Sequence, residues 1–269
     1  LAMGTNAVSG STYNVALGYK ALTEAIDCDF NIAIGANSML IADNGESNNI
    51  SIGTNAMNGI DNAASDHNVV IGDSALLGGT GTVTKNVAIG SNAMGTGVAN
   101  NDQTGTVAIG YDSLKELTSG AGNTAVGFES MQKNKTGTNN TALGYLTMDG
   151  TGAGGDTGAN SDHNTAIGST SMGGDWANVV SEYNTAVGSK TMDAVMNGAN
   201  NNTAIGYEAL TQLTEGDSNV AVGSTAGKAI TTGSKNIAIG AETLDALTTG
   251  SQNIAIGAHA MGQADGGET

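Results

Sequence analysis

The chain of 269 residues contains no proline and a single cysteine, Cys28, and its eight basic residues are all lysines, so arginine is absent. The lack of proline and of a Gly-X-Y period excludes a collagen-like chain. One cysteine cannot form an internal disulfide, and no Cys/His cluster suggests zinc, so we expect neither a metal nor a cofactor. With 25 acidic residues the net charge is −17, which gives the phosphates of a nucleic acid nothing to bind.

Aromatic residues and long hydrophobic runs are also scarce. Aromatics make up 3% of the chain, and no apolar run approaches the roughly 18 residues of a membrane span. The N-terminus lacks the pattern of a signal peptide. We therefore expect no nucleic-acid partner and no membrane insertion in this segment. High net charge with few aromatics is typical of disordered chains, but the 39% hydrophobic content and its strict periodicity favour a folded one.

Glycine is abundant, with 42 residues, about double its average frequency, and much of it belongs to a repeat. The unit Asn-x-Ala-(Ile/Leu/Val)-Gly recurs along the whole chain with a basic period of 17 residues, which insertions lengthen. Its fifteen glycines, which we call the repeat glycines, are Gly4, Gly18, Gly35, Gly53, Gly72, Gly90, Gly110, Gly127, Gly144, Gly168, Gly188, Gly206, Gly223, Gly240 and Gly257.

Each unit predicts a brief β-strand, because Asn-x-Ala-Ile-Gly is short, alternating and rich in Ile and Val. With period two, the x and Ile positions share one face, and Asn, Ala and Gly share the other. Stacked units would place each Asn above the next, where the amides bond along the stack, and each repeat glycine at a corner with positive φ. The asparagines to which we assign this structural role are Asn14, Asn31, Asn86, Asn123, Asn164, Asn202, Asn236 and Asn253.

The segment after each repeat glycine carries a small residue three positions on and, in thirteen of the fifteen units, Leu or Met four positions on; Val8 and Gly227 are the exceptions. Many units add another apolar residue, as in Leu210/Leu213 and Leu244/Leu247. This spacing predicts a single helical or 3₁₀-like turn, or a bent second strand. A unit of 17 residues cannot bury its apolar side alone, so units must stack into one core. We predict an all-β solenoid of about 15 coils over residues 1–261, followed by an acidic, glycine-rich continuation over 262–269. The truncated first unit indicates a piece of a longer polypeptide.

The units resemble the head repeats of trimeric autotransporter adhesins, the YadA-like family, in their pattern Asn-x-Ala-Ile-Gly-x-x-(Ala/Ser/Thr). The Gly-Tyr-x-Ala-Leu variant at 206–210 resembles repeats of bacteriophage tail fibres. The similarity covers essentially the whole chain. It implies a left-handed parallel β-roll, assembled as a parallel homotrimer with the apolar strands facing the three-fold axis. The 17-residue period is longer than the usual adhesin repeat, and the Leu-x-x-Leu segment is not part of its minimal motif.

The strand pattern favours an oligomer independently of the resemblance. If Ala and the small and Leu positions fill the inside of each coil, the x/Ile ridge points outward. That stripe is larger than a soluble monomer normally exposes, and a closed cyclic assembly of identical chains would bury it. A monomeric solenoid that hides its apolar residues within one chain is the alternative.

Candidate receptor contacts lie at the coil corners and the insertions. Tyr145 and Tyr207 are among the aromatics that follow repeat glycines, and their rings could stack on a sugar or simply pack over the coil beneath. The insertions after Gly144 (Asp149 to His163) and after Gly168 are the longest loops in the chain's second half. Loops on a rigid scaffold are common recognition sites, so we nominate Asp175 and Trp176, although solenoids also tolerate neutral insertions.

These patterns predict a non-enzymatic, extracellular fibre segment whose partners are its own copies and a host-cell glycan or protein receptor. We favour the shaft or head of a bacteriophage tail fibre on the virion, with a bacterial cell-surface adhesin head as the alternative. A tailspike depolymerase would need a carboxylate pair in a groove, and the scattered acids supply none. An ice-binding solenoid is a further alternative because the x column contains successive threonines, Thr124, Thr141, Thr165, Thr185 and Thr203, although threonine also suits strands.

Overall fold

The structure is a computed structural model that describes residues 10–42, 45–60, 62, 64–79, 81–95, 103–150, 161–177 and 179–263. Within these ranges the chain is all-β, without a helix, and it folds as a parallel β-solenoid, which confirms the prediction of an all-β solenoid. The chain divides into two compact units, Leu1–Glu129 and Ser130–Thr269. The last six residues of the predicted acidic continuation, 264–269, lie outside the described residues.

The first unit contains a parallel sheet of three-residue strands and two smaller sheets. The sheet order is β1-β3-β5-β6-β8-β10-β11, with β2 paired to β4 and β7 to β9. The strands are β1 (Val15–Leu17), β2 (Glu24–Ala25), β3 (Ile32–Ile34), β4 (Ile41–Ala42), β5 (Ile50–Ile52), β6 (Val69–Ile71), β7 (Val83–Thr84), β8 (Val87–Ile89), β9 (Gln103–Thr104), β10 (Val107–Ile109) and β11 (Thr124–Val126).

The second unit repeats the same strand seven times, with each strand parallel to the one that follows it in the chain. The strands are β12 (Thr141–Leu143), β13 (Thr165–Ile167), β14 (Thr185–Val187), β15 (Thr203–Ile205), β16 (Val220–Val222), β17 (Ile237–Ile239) and β18 (Ile254–Ile256). In both units the pairing is in register, so that Ala204, for example, lies opposite Ala221.

Alternation along each three-residue strand separates an inner from an outer face. The central residue is buried in all of these strands, and it is usually alanine. The first and third residues are half-buried or exposed: Ala204 is fully buried, whereas the neighbouring Ile205 is 41% exposed. The x/Ile ridge therefore points outward, as the pattern predicts.

The segment after each repeat glycine is a pair of tight turns rather than a helical turn, so that prediction is wrong. The residues two and four positions after the glycine both have left-handed backbone angles, as at Glu208 (φ 52°) and Leu210 (φ 49°). The Leu210 N–H donates to the carbonyl of Ala226 in the next coil at 3.0 Å, not to a carbonyl four residues back. Bonds between coils, together with turn bonds within a coil such as that from the Leu213 N–H to the Leu210 carbonyl at 3.1 Å, thus take the place of helical bonds. Among the residues that the structure describes, a second strand forms only as the short β2, β4, β7 and β9.

The core consists of the columns that follow the repeat glycines. The residue four positions on is a buried Leu or Met in most coils, and a second apolar residue packs beside it in many of them. Fully buried members include Met39, Met57, Leu114, Leu117, Met131, Met148, Met172, Met192, Met196, Leu210 and Leu213. Since each coil contributes one or two such side chains, the core exists only through stacking.

Candidate functional site

The repeat asparagines form an internal ladder that sets the spacing between coils. In the second unit the Oδ1 of Asn202 accepts hydrogen bonds from the backbone N–H of Asn219 at 2.8 Å and from its side-chain amide at 3.1 Å. The Asn202 side-chain amide donates to the carbonyl of Gly216 at 2.9 Å. The same pattern joins Asn14, Asn31, Asn49, Asn68 and Asn86 in the first unit. Buried loop groups are thereby satisfied without water.

The repeat glycines form a second ladder, where the backbones of adjacent coils touch. Gly168 has φ 131°, a conformation that side chains rarely adopt. A Cβ there would lie 2.5 Å from the carbonyl oxygen of Gly188. Within each unit the two ladders hold the described coils in register, so that outward residues of neighbouring strands lie beside one another.

We call the first and third residues of the three-residue strands the strand face. It is apolar or threonine throughout the described strands and carries no charged side chain, although the chain has a net charge of −17. Several of its members are well exposed, including Leu143 (47%) and Ile254 (66%). Seven strands at about 4.8 Å spacing give each unit a strip about 29 Å long. Such a strip can bind a matching apolar surface.

The predicted corner tyrosines lie at the surface in the second unit, where Tyr145 and Tyr207 are each about half exposed. Tyr207 belongs to a polar cluster in which Lys228 Nζ donates to Glu208 Oε2 at 2.6 Å. This bond holds the pKa of Glu208 below its usual range and raises the pKa of Lys228. The Tyr207 hydroxyl bonds to the same carboxylate, which raises the pKa of Tyr207. The corner can therefore offer an aromatic ring beside a fixed charge pair.

Trp176 lies inside the coil, contrary to its nomination as a receptor contact. Its side chain is 3% exposed, and its indole N–H donates to the carbonyl of Met172 at 3.3 Å. The backbone N–H of Ala177 donates to the carbonyl of Met196, so the tryptophan takes the inner position that Met196 has in the following coil. A buried indole cannot stack on a ligand at the surface, and we remove Trp176 from the candidate contacts.

Asp175, the neighbouring nominee, is exposed and paired. Its carboxylate accepts a hydrogen bond from Lys133 Nζ at 3.1 Å, and the same lysine lies 3.9 Å from Asp149. Most of the first insertion, 151–160, lies outside the described residues. The structure therefore brings Asp175 to the surface but does not bring it together with Trp176.

Sequence reasoning missed a second aromatic column, in the position before the repeat asparagine. That position has φ near 60° in coil after coil. Tyr13 stacks on Phe30 with 4.9 Å between ring centroids, and His163 stacks on Tyr183 at 5.1 Å. Tyr111 and Phe128 stack similarly at a coil corner, at 5.3 Å. The periodic spacing of these residues was the available signal. Each ring covers one face of its stacked neighbour, so each pair has less ring face free for a ligand than two separate rings have.

Over the described ranges, no group of three or more His, Cys, Asp or Glu side chains is placed to hold a metal ion. In the same ranges no helix is long and apolar enough to cross a membrane. Comparison with known proteins found no matching family model, no matching curated protein and no matching solved structure.

Proposed function

We propose that the chain is a non-enzymatic structural and adhesive fibre segment that assembles through its strand face. In this assembly three parallel chains, each a left-handed solenoid of about 15 coils with one coil for each repeat glycine, turn their strand faces toward a common three-fold axis. The observation that carries the proposal is the uncharged, half-exposed strand face, because a soluble chain rarely leaves so long an apolar strip in water.

Identical copies suit this face better than an unrelated partner does. Each chain carries a net charge of −17, so copies repel one another wherever charges meet. The strand face, which lacks charges, is where like-charged chains can approach without desolvating an ion. A cyclic arrangement closes on itself and leaves no copy of the face exposed.

The fibre belongs outside the cell, as the shaft or head of a bacteriophage tail fibre that presents contacts to a host glycan or protein. A bacterial cell-surface adhesin head is the alternative origin. The resemblance of the repeats to those of both protein classes supports this placement, and so does the rigid ladder of coils, which suits a spacer. The exposed corner residues Tyr145, Tyr207 and Asp175 supply the receptor contacts.

Assembly is tested with two matched pairs of lysine substitutions. Ile239→Lys with Ile256→Lys places two positive charges on the strand face in adjacent coils, at side chains that are already exposed. Thr232→Lys with Thr249→Lys places the same charges at exposed loop positions, also one coil apart. Light scattering after gel filtration should show trimers for the unmodified chain and the loop pair, and monomers for the face pair. A monomeric unmodified chain, or equal behaviour of the two pairs, would overturn the proposed assembly.

The adhesive role is tested by binding to an array of bacterial surface polysaccharides. We expect retention on some of them, weakened by Tyr145→Ser with Tyr207→Ser and unchanged by Tyr183→Ser, an exposed tyrosine outside the corner column. Reducing ends are assayed in the same wells. Sustained release of reducing ends would contradict the non-enzymatic role, and equal weakening by the control would remove the corner tyrosines from the binding site.

A further inference from the structure

The strand face changes character along the chain. Its first position is Val or Ile in β1, β3, β5, β6, β8 and β10, threonine from β11 to β15, and Val or Ile again from β16 to β18. We call the threonines of β12 to β15, all in the second unit, the threonine segment; they are Thr141, Thr165, Thr185 and Thr203. In these coils the third position stays aliphatic, as at Ile167 and Ile205.

The hydroxyls of the threonine segment make no hydrogen bond within the described chain. Their side chains are half-buried on the outer face, and their backbones are held in register, so that Thr185 lies beside Thr203 in the sheet. The threonines inside the coils differ: Thr191 Oγ1 donates to the carbonyl of Gly206 at 2.7 Å, and Thr243 Oγ1 to that of Gly257 at 2.8 Å. A few inner hydroxyls, such as those of Thr106 and Thr170, also lack a partner, but those of the threonine segment recur at the same position of successive strands.

We propose that the threonine segment fixes the axial register of the assembled chains, with each threonine meeting the same threonine of the other copies. The inference rests on the proposed function, since it concerns the same self-associating face. A hydroxyl donates one hydrogen bond and accepts others, so three threonines around an axis can form a closed ring in which every hydroxyl is satisfied.

An all-aliphatic face could not set this register by itself. Its coils are nearly identical. If one chain shifted along another by one coil, about 4.8 Å, each Val or Ile would meet a Val or Ile of the neighbouring coil in the other chain, and the contact would change little. No charge on the face opposes the slip. With the threonine segment present, the same slip sets Thr203 against Val220 and leaves a buried hydroxyl without a partner, which is unfavourable. A single polar position in an apolar seam has the same effect in coiled coils.

The occupant of the segment is therefore a second and third copy of this chain, parallel and unshifted. The columns themselves support this choice. In an unshifted parallel assembly hydroxyl positions meet hydroxyl positions and aliphatic positions meet aliphatic ones, in every strand of the two units. Water or ice on a solvent-facing segment is the competing occupant, and the experiment below separates the two.

The test uses cysteine reporters on the strand face, outside the threonine segment, with Cys28→Ala as background. One chain carries Val222→Cys and a second, differently tagged chain carries Ile239→Cys, one coil away. The two are co-expressed and oxidised. With the native threonines we expect disulfides between like positions, 222 with 222 and 239 with 239, and essentially none between 222 and 239.

Two substituted forms of the reporter pair test the role of the hydroxyls. Replacing Thr141, Thr165, Thr185 and Thr203, together with Thr124 of β11, by valine keeps the side-chain shape, and valine already fills this column at Val107 and Val220. We expect the valine form to keep its oligomeric mass and to raise the 222–239 disulfide at least severalfold. Serine at the same five positions keeps the hydroxyls and should keep the native pattern.

Three results would overturn the register proposal. The first is a valine form that stays strictly in register, and the second is a native form that already yields the 222–239 disulfide; both leave the oligomer itself, and hence the proposed function, intact. The third is a monomer in every form, which removes the proposed assembly as well. A monomer with thermal hysteresis that the valine form loses would identify ice as the occupant.

Discussion

At the scale of the residue, left-handed backbone angles explain why Leu and Met, rather than β-branched residues, fill the core position that follows most repeat glycines. The position four residues after the repeat glycine has φ near 50° in nearly every described coil and is occupied by Leu or Met. A left-handed angle costs roughly 1–2 kcal/mol for an ordinary residue and more for a β-branched one. Hydrogen bonds to the next coil, such as that from the Met192 N–H to the Ala209 carbonyl, offset this cost.

We predict that Met192→Ile destabilises the protein much more than Met192→Leu does. Met192 is fully buried with φ 51°. Leucine already fills the equivalent position at Leu210 and should cost less than about 1.5 kcal/mol. Isoleucine has a similar volume but is branched at Cβ, and it should cost about 2 kcal/mol more than leucine. Urea unfolding of the two variants measures the difference, and equal stability of the two would show that the backbone angle does not select the residue.

Asp193 gives the chain a pH dependence with a definite sign. Burial raises the pKa of its carboxyl, against the opposing effects of the Gly173 N–H and Lys190. A carboxyl whose folded pKa is raised stabilises the fold below its unfolded pKa and loses that contribution as the pH rises through the folded pKa. We therefore expect Asp193→Asn to increase the free energy of unfolding at neutral pH and to change it little below the unfolded pKa. Urea unfolding across the acidic range measures this, and a benefit that grows toward low pH would contradict the assignment.

At the scale of the coil, close backbone contact determines which glycines can be replaced. We predict that Gly168→Ala is strongly destabilising, by about 3 kcal/mol or more, because its Cβ would enter the carbonyl of Gly188 and φ 131° is unfavourable for alanine. Gly105 also has a positive φ, of 67°, but a Cβ there meets nothing within 4 Å. Gly105→Ala is thus the control and should cost about 1 kcal/mol. Thermal unfolding of the two variants tests this, and similar losses would mean that coil spacing is not set at the repeat glycines.

Trp176 shows how an insertion can keep the core of a coil. It is the only tryptophan in the chain and is buried, so tryptophan emission reports on it alone. We predict emission shifted to the blue of free tryptophan and weak quenching by acrylamide. Trp176→Leu should lose about 1–2 kcal/mol because leucine leaves part of the volume empty, whereas Trp176→Ser should lose about 3 kcal/mol or more. Solvent-exposed emission would restore Trp176 as a surface residue.

The repeat made the strands and their two faces predictable, because alanine, the central residue in thirteen of the fifteen units, alternates with flanking residues that are aliphatic or threonine and leaves little choice of face. The turn after the repeat glycine was not predictable in the same way. Leu and Met spaced by three fit a helical turn locally, and only the bonds to the next coil, such as that from Leu210 to Ala226, favour the left-handed turns instead. The prediction that Trp176 contacts a receptor at the surface failed for a related reason: within an insertion, the sequence does not indicate which residue occupies the core position.

At the scale of the whole molecule, the charge and the strand face act in opposite directions. A net charge of −17 per chain opposes association and favours solubility. The uncharged strand face favours association along its whole length. Covering its exposed side chains, such as Ile254 and Ile256, lowers the free energy in proportion to the apolar area buried. We therefore expect assembly to strengthen with added salt, which screens the repulsion and leaves the apolar contact intact.

Sedimentation equilibrium of the unmodified chain at several concentrations tests the central claim most directly. If the strand face is covered by sister chains, the mass should correspond to three chains of 26.5 kDa, about 80 kDa, at every concentration and should persist at high salt. A single species of 26.5 kDa that stays soluble at all concentrations would contradict it, because the apolar face would then be stable in water without a partner.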